Sequence, residues 1–545
     1  MGGRGGGRVA QLALAGALTA ACGGALQLLK LAALDGAGRE LGAPSYGARA
    51  AFLVPFGLAK SVGNGLAGVL ADRPGVGRAR AEAAGWALGA LAPLVLLALP
   101  GRPADLPAAV TANIFLGGQQ GLAWSCLLLV FMDLLPGRAG LAAGACEAIG
   151  YTAIAAFAGL YSLLERRGVA CAWAPGSEGR GCRAGLPAGV PGSGPPQCAR
   201  PDDWRAECAG LCRCGPYVSR GSPFAQAALG VLLGALACTL CFLRDSSPRR
   251  PRAAPPSECE LEALTGPRAA DGDGDGAWGV GVGEGGEAEE DELRALRGPA
   301  PAPEGSLQVP GAWELFRRTT AGSRSTALVC LSGFAVNLTT GVAWGLLLAW
   351  ARDGLGLTGG QRDFVAAAYS LVKGLSQFVT GPLSDWGGRR RPLVMGFAAN
   401  AAGLVVSALG PRALSSDPAG RFACLVLGSV IIGLGTGLVY PTLAAAIGDH
   451  CLPEERGTCV GAFRFWRDLG YTAGALVALL ADGTSPVAAL SSVAAVSVFL
   501  SGANHWLYLE GGGTPRRGVG GAGVLAPLPP RKGQPRPRRE LEPRH

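Results

Sequence analysis

Two stretches of the chain repeat one another at a fixed distance, and that repeat restricts the fold more than any other feature. Lys60 to Asp72 reads KSVGNGLAGVLAD and Lys373 to Asp385 reads KGLSQFVTGPLSD. Each sets one lysine in apolar sequence and one aspartate where that sequence stops. Downstream, GLAW (Gly121 to Trp124) with Asp133 is answered by GLVY (Gly437 to Tyr440) with Asp449. EAIGY (Glu147 to Tyr151) is answered by RDLGY (Arg467 to Tyr471). The offset drifts only from 313 to 320, as two copies with small loop insertions would give. Features in the same order and sense predict duplicated helical bundles related by an axis along the membrane normal.

Half the residues are hydrophobic, 16% are charged and the mean hydropathy is +0.30, a membrane composition. Gly and Ala inflate such averages, so windows decide. Apolar stretches of about 17 to 26 residues, long enough to cross the hydrocarbon layer, run Val9 to Ala33, Ala50 to Leu70, Ala83 to Leu99, Ala108 to Phe131, Ala139 to Leu164 and Phe224 to Leu243. Six more run Ala327 to Trp350, Phe364 to Leu383, Pro392 to Leu409, Phe422 to Ala446, Cys459 to Leu480 and Val487 to Tyr508. The expected fold is an all-α membrane protein with twelve transmembrane helices in two pseudo-symmetric six-helix bundles. The first bundle occupies 1–243 and the second 325–508.

Arginines in short loops orient the chain. Arg73, Arg78 and Arg80 follow helix 2, Arg389, Arg390 and Arg391 follow helix 8, and Arg244, Arg249, Arg250 and Arg252 follow helix 6. All fall on one side, expected to be cytosolic, with both termini and the basic tail 509–545. The protein is then a multi-pass resident of the plasma membrane or an organelle membrane. Helix 1 reads as its own insertion signal, with no cleavable leader. The segment 244–324, rich in Gly, Pro, Ala and acids, reads as a disordered cytosolic linker. The loop 165–223 lies on the opposite side and holds Cys171, Cys182, Cys198, Cys208, Cys212 and Cys214. An even number in an oxidising position predicts disulfides, although six cysteines allow 15 pairings. Metal binding by CAGLCRC is disfavoured because a second ligand pair is missing.

Other function classes drop out. DGDGDG at Asp271 to Gly276 begins like a calcium loop, but the twelfth position is Val282 rather than Glu. GVGGAG at Gly518 to Gly523 has no strand before it and so is no dinucleotide fingerprint. There is no GxxxxGK[ST] string and no nucleophile and base constellation, and the only histidines are His450, His505 and His545. Neither an enzyme nor a cofactor or metal is expected. The expected partners are a small-molecule solute, membrane lipid and protons, not nucleic acid, with a monomer as the working unit.

GPLSDWGGRRR (Gly381 to Arg391) resembles the loop signature of the major facilitator superfamily after helix 8, with GVLADRPGVGR (Gly68 to Arg78) as its counterpart after helix 2. Pro74 and Val76 interrupt the first copy. GLAWS, RFWRDLGY and GLVYPTLAAAIGD resemble a group of poorly characterised, efflux-type permeases in that superfamily. The resemblance implies two six-helix domains, a cavity between them near mid-membrane and alternating access. It also implies that helix 5 packs on helix 8, helix 11 packs on helix 2, and helices 1, 4, 7 and 10 line the cavity. The glycine-proline signature of drug/proton antiporters is missing around Gly144 to Gly159, which argues against antiport.

A charge inside the hydrocarbon zone is costly unless paired or wetted, so each such residue is a functional candidate. Lys60 and Lys373 lie 12 residues before their aspartates, about 18 Å along a helix, and Glu147 and Asp468 enter from the same side. With the implied helix packing, two pseudo-symmetric ion pairs are expected, Glu147 with Lys373 and Asp468 with Lys60. Broken by protonation, they would couple protons to domain rocking; left intact, they would fix register. Arg464 and Arg467 form a positive face that either receives an anion or, for Arg464, meets Asp72 or lipid phosphate. Polar residues at helical spacing line the implied cavity: Gln27 and Lys30 (helix 1), Gln120 and Trp124 (helix 4), Asn337, Thr340 and Trp344 (helix 7), Thr436 and Tyr440 (helix 10). These either bind solute or glue helices together. In the loops, Gly68, Asp72 and Arg73 and then Gly381, Asp385, Gly388, Arg389 and Arg390 are the expected latch, with each aspartate accepting amides at the start of helix 11 or helix 5.

The expected activity is secondary transport of a small solute, proton-coupled and outward. The alternatives are uniport or symport of a polar or anionic metabolite, or a non-transporting receptor of the same fold.

Overall fold

A computed structural model describes residues 2–43, 45–73, 75–173, 212–246, 311–451 and 455–509, with backbone alone at 2–6, 170–173 and 212–213. The first six long helices are helix 1 (Gly2–Asp35), helix 2 (Leu53–Asp72), helix 3 (Gly77–Ala98), helix 4 (Leu106–Leu134), helix 5 (Ala139–Gly168) and helix 6 (Pro223–Phe242). The second six are helix 7 (Arg324–Val342), helix 8 (Gly359–Gly387), helix 9 (Arg390–Ala413), helix 10 (Pro418–Gly448), helix 11 (Arg456–Gly483) and helix 12 (Pro486–Leu507). Helix 1 runs on through a π turn, Gly36–Glu40, and helix 7 through two, Ala343–Leu347 and Trp350–Gly354.

Ten of the twelve are long and apolar enough to cross a membrane on composition alone. The other two, helices 8 and 11, carry Arg362, Asp363 and Lys373, and Arg464, Arg467 and Asp468, and all six side chains are buried. Their charges face protein rather than lipid, so an apolar count undervalues them. Helix 8 begins earlier than its apolar stretch because Thr358 and Gln361 form a capping box.

Helices 2 and 11, and helices 5 and 8, join the halves by close backbone approach. A Cβ on Gly68 would strike the Gly457 carbonyl, and one on Gly381 would strike the Gly140 carbonyl. Gly140 and Gly144, and Gly457 and Gly461, are four apart, the small-residue spacing that lets membrane helices meet. The two contacts are pseudo-symmetric copies of one another. Between helices 8 and 9 the chain reverses at Gly388, whose φ of 87° needs a residue without a Cβ.

Two elements depart from the all-helical expectation. In the Cys-rich loop, strand β1 (Ala170–Trp173) pairs antiparallel with β2 (Cys212–Gly215), placing Cys171 opposite Cys214. Cys214 is buried and disulfide-bonded, whereas Cys182, Cys198 and Cys208 lie outside the described residues. The segment read as linker, 244–324, lies mostly outside them too, as do the calcium-like run and the tail 510–545. The end of that segment is not irregular: Ala312–Ala321 is a helix. Phe316 packs on Phe465 and Trp466 of helix 11, and Thr320 accepts from the Trp466 indole at 2.9 Å. Leu315 and Thr319 of this helix are also buried, and the Thr319 carbonyl accepts from Cys330.

Candidate functional site: a charged centre between two closures

Of the two expected ion pairs, one forms. Lys60 Nζ lies 3.6 Å from Asp468 Oδ2. Asp468 also accepts from Arg467 Nε (2.8 Å) and Nη2 (3.0 Å), from Asn64 Nδ2 (2.6 Å) and from Asn337 Nδ2. It is fully buried, and this set of donors is what makes a buried carboxylate tolerable.

The expected Glu147–Lys373 pair does not form. Glu147 Oε1 instead meets Arg467 Nη1 at 3.5 Å and Arg464 Nη2 at 3.6 Å. Arg464, which also donates to the Trp124 carbonyl at 3.3 Å, therefore meets neither Asp72 nor lipid. The guanidiniums of helix 11 reach across the interface to helix 5 and take the carboxylate that helix 8 was expected to hold. Lys373 sits instead among tyrosines, 3.6 Å from the ring centre of Tyr440 and 3.9 Å from that of Tyr151, with its Nζ 3.4 Å from the Tyr369 hydroxyl.

The residues expected to line a cavity converge on this centre. Lys30 Nζ lies 4.8 to 5.2 Å from the rings of Tyr471, Phe56 and Trp344. Thr340 shares its hydroxyl with Tyr440 (3.3 Å) and Tyr369 (3.1 Å). Gln120 donates to the Cys22 carbonyl at 3.0 Å. Thr436 donates back to the Ile432 and Gly433 carbonyls of its own helix and also meets the Tyr369 hydroxyl. Several polar atoms here are buried without a hydrogen-bond partner: both ends of the Gln27 amide, Gln120 Oε1, the Trp124 indole nitrogen and Asn337 Oδ1. Buried polar atoms left unpaired are uncommon and mark a place where another molecule can complete the bonding. A small cleft opens against Trp344 and Tyr369.

At the arginine-rich end both loop aspartates cap helices of the opposite half. Asp385 accepts from Gly140 N and Leu141 N, each at 3.1 Å, and from Arg389 Nη1 at 2.9 Å. Arg389 continues to Asp449 at 3.0 Å. Asp72 accepts from Thr458 N at 2.7 Å and its hydroxyl at 3.0 Å. In this copy the arginine that mirrors Arg389 is Arg78, buried and paired with Asp133, the repeat partner of Asp449. Arg73 is exposed and joins no latch. The interrupted first signature thus keeps its anchor through a residue five positions later. Arg390 donates to the His505 carbonyl on helix 12.

A third charge cluster, at the Cys-rich end, was not anticipated. Asp35, at the end of helix 1, accepts from Arg352 (2.7 Å), Arg362 (2.5 Å) and the Tyr161 hydroxyl (2.6 Å). Glu165 lies 3.6 Å from Arg352, and Arg49 pairs with Asp353. The β2 segment is tied in through Tyr217, whose amide donates to Glu40 (2.8 Å) and whose hydroxyl donates to Glu165 (2.7 Å). These residues sit at helix ends, where charges read as ordinary solvated termini; only their burial identifies them. The two halves therefore touch at both ends, with the charged, aromatic centre enclosed between.

A sequence model described as the Major Facilitator Superfamily matches residues 329–540. Myo-inositol transporter 2 of Schizosaccharomyces pombe (strain 972 / ATCC 24843) is 32% identical over 136 residues, 25% of this chain and 23% of that protein. The chain thus spans less than a quarter of the length of that relative. Among solved structures, the human organic anion transporter MFSD10 (TETRAN) superimposes with a TM-score of 0.52 at 15% identity, covering 91% of this chain and 99% of that one. The proton:xylose symporter XylE bound to 6-bromo-6-deoxy-D-glucose superimposes with a TM-score of 0.54 at 10% identity, covering 92% and 96%. The segment 329–540 matches the Major Facilitator Superfamily model, and over nine-tenths of its length the chain shares the fold of these two transporters.

Proposed function

We propose that the protein carries a small solute across the membrane by alternating access, rocking its two halves about the buried centre. The observation that carries this reading is the pair of closures. Asp35 with Arg352 and Arg362 holds the halves together at one end, Asp72 and Asp385 hold them at the other, and both sets are small enough to break one at a time. Packed interfaces with two discrete arrangements are what such a cycle needs. The arginine-rich end is taken as cytosolic from the loop arginines. The names of the similar proteins, an inositol transporter, an organic anion transporter and a xylose symporter, support solute carriage without choosing a solute.

The experiment is counterflow in liposomes holding the purified full chain, with a panel of neutral polyols, organic anions and organic cations. Saturable, Asp385-dependent exchange of any one supports a carrier. No exchange, together with closures that do not respond to any solute, refutes it and leaves the receptor reading. Imposed pH gradients of both signs test proton-driven export in the same vesicles. Rates indifferent to the gradient would remove proton coupling and leave facilitated exchange.

A further inference from the structure

The centre holds more positive than negative groups. Lys30, Lys60, Lys373, Arg464 and Arg467 are buried there with only Glu147 and Asp468 as carboxylates. Both carboxylates are taken up by Lys60 and the two arginines. Lys30 and Lys373 make no ion pair among the described residues; Lys30 lies among ring faces, and Lys373 among ring faces with the Tyr369 hydroxyl at 3.4 Å. Cation–π contacts contribute about 0.5 to 2 kcal/mol each, whereas a lone charge at mid-membrane costs more, so each lysine retains an unmet demand for an anion.

Three further observations converge on the same place. The two lysines come from opposite halves, Lys30 on helix 1 and Lys373 on helix 8. A small cleft lies against Trp344 of the first lysine's cage and Tyr369 of the second's. Gln27, one helical turn before Lys30 and 1% exposed, has neither amide atom bonded.

We propose that the solute is a small organic anion, a carboxylate or sulfonate on a flat ring, held jointly by Lys30 and Lys373. This rests on the carrier reading above and names its substrate class. The aromatic cages hold the ammonium groups while the site is empty; the anion replaces ring faces as their partner, and the ring of the solute takes the place of a lysine stem against Trp344 or Tyr369. Because one lysine belongs to each half, binding draws the halves together, so recognition and closure become one event.

The test is equilibrium binding and counterflow with three molecules of one shape: 4-hydroxybenzoate, its methyl ester and 4-hydroxybenzylamine, with inorganic phosphate as a fourth arm. The anion should bind at least tenfold more tightly than the ester, and the amine not at all. Lys30→Gln and Lys373→Gln should each weaken the anion about ten- to a hundredfold, the weight of a charge-assisted hydrogen bond. Both should weaken the ester far less than the anion and keep the wild-type elution profile; Lys373→Arg should retain most of the affinity. Equal affinity for ester and anion, unaltered anion binding in both glutamine variants, or no binding of any of the three overturns the proposal. Phosphate binding as tightly as 4-hydroxybenzoate overturns its organic part. Counterflow of the ester with the anion ignored leaves the carrier standing and removes only the anion.

Discussion

Replacing Asp35 with Asn tests the closure at the Cys-rich end most directly. The carboxylate is 4% exposed and receives three charge-assisted or phenolic hydrogen bonds, from Arg352, Arg362 and Tyr161, at 2.5 to 2.7 Å. Removing its charge leaves two buried guanidiniums, one now reliant on Glu165 at 3.6 Å and the other on Asp363 at 2.5 Å. Breaking a buried pair costs about 3 to 5 kcal/mol where both groups stay dry. In a state open at this end, water solvates the arginines and most of that cost disappears. The closed-to-open balance should therefore shift by about 3 kcal/mol, roughly a hundredfold. The readout is modification of a cysteine placed at Leu348, which is buried and lines the same cleft, by a membrane-impermeant maleimide, measured above the native-cysteine background. Asp363→Asn is the control, because its partner Arg362 is its neighbour on helix 8 and no contact between halves is lost. Labelling that rises less than about twofold in Asp35→Asn, or equally in both variants, refutes the assignment of Asp35 as the link.

At the other end, Asp385→Ala frees two amides and its partner Arg389, whereas Asp72→Ala frees the Thr458 amide and hydroxyl without releasing a directly paired arginine. Spin labels at Arg138 and Trp386 should show a broader, longer distance distribution in Asp385→Ala, and a smaller response in Asp72→Ala. Glu147→Gln removes the carboxylate that neutralises Arg464, and should destabilise the protein by about 3 kcal/mol; adding Arg464→Met should recover most of that in thermal unfolding, and a double variant no better than the single one refutes the pairing. Gly381→Leu puts a side chain against the Gly140 backbone and should abolish a monodisperse folded species on size exclusion, while Gly387→Leu, with nothing within 4 Å, should behave as wild type.

The duplicated layout was readable because a repeat of apolar windows, arginine loops and loop signatures survives in one dimension. The aspartate-to-amide contacts of Asp72 and Asp385 were expected from the resemblance of the two loop signatures to a known superfamily, with helix ends of the opposite half as their partners. The Glu147–Lys373 pair was misread because pseudo-symmetry predicts matching partners, whereas two arginines on helix 11 can outreach one lysine. Nothing in the repeat reveals that EAIGY and RDLGY differ in that reach. The Asp35 cluster was invisible for a different reason. Charges at helix ends look alike whether water or another domain covers them, and windows cannot count burial.

What the amino-acid order determined is the number of crossings, their pairing into two copies and the few polar positions inside them, because lipid excludes unpaired backbone and unneeded charge from every crossing. What tertiary structure decided is who neutralises whom. Partner choice depends on side-chain reach across an interface where the two copies meet with unlike residues, and at that interface Glu147 goes to the arginines of helix 11, Asp468 to Lys60 and Arg467, and Lys30 and Lys373 are left among aromatic side chains with no carboxylate partner among the described residues.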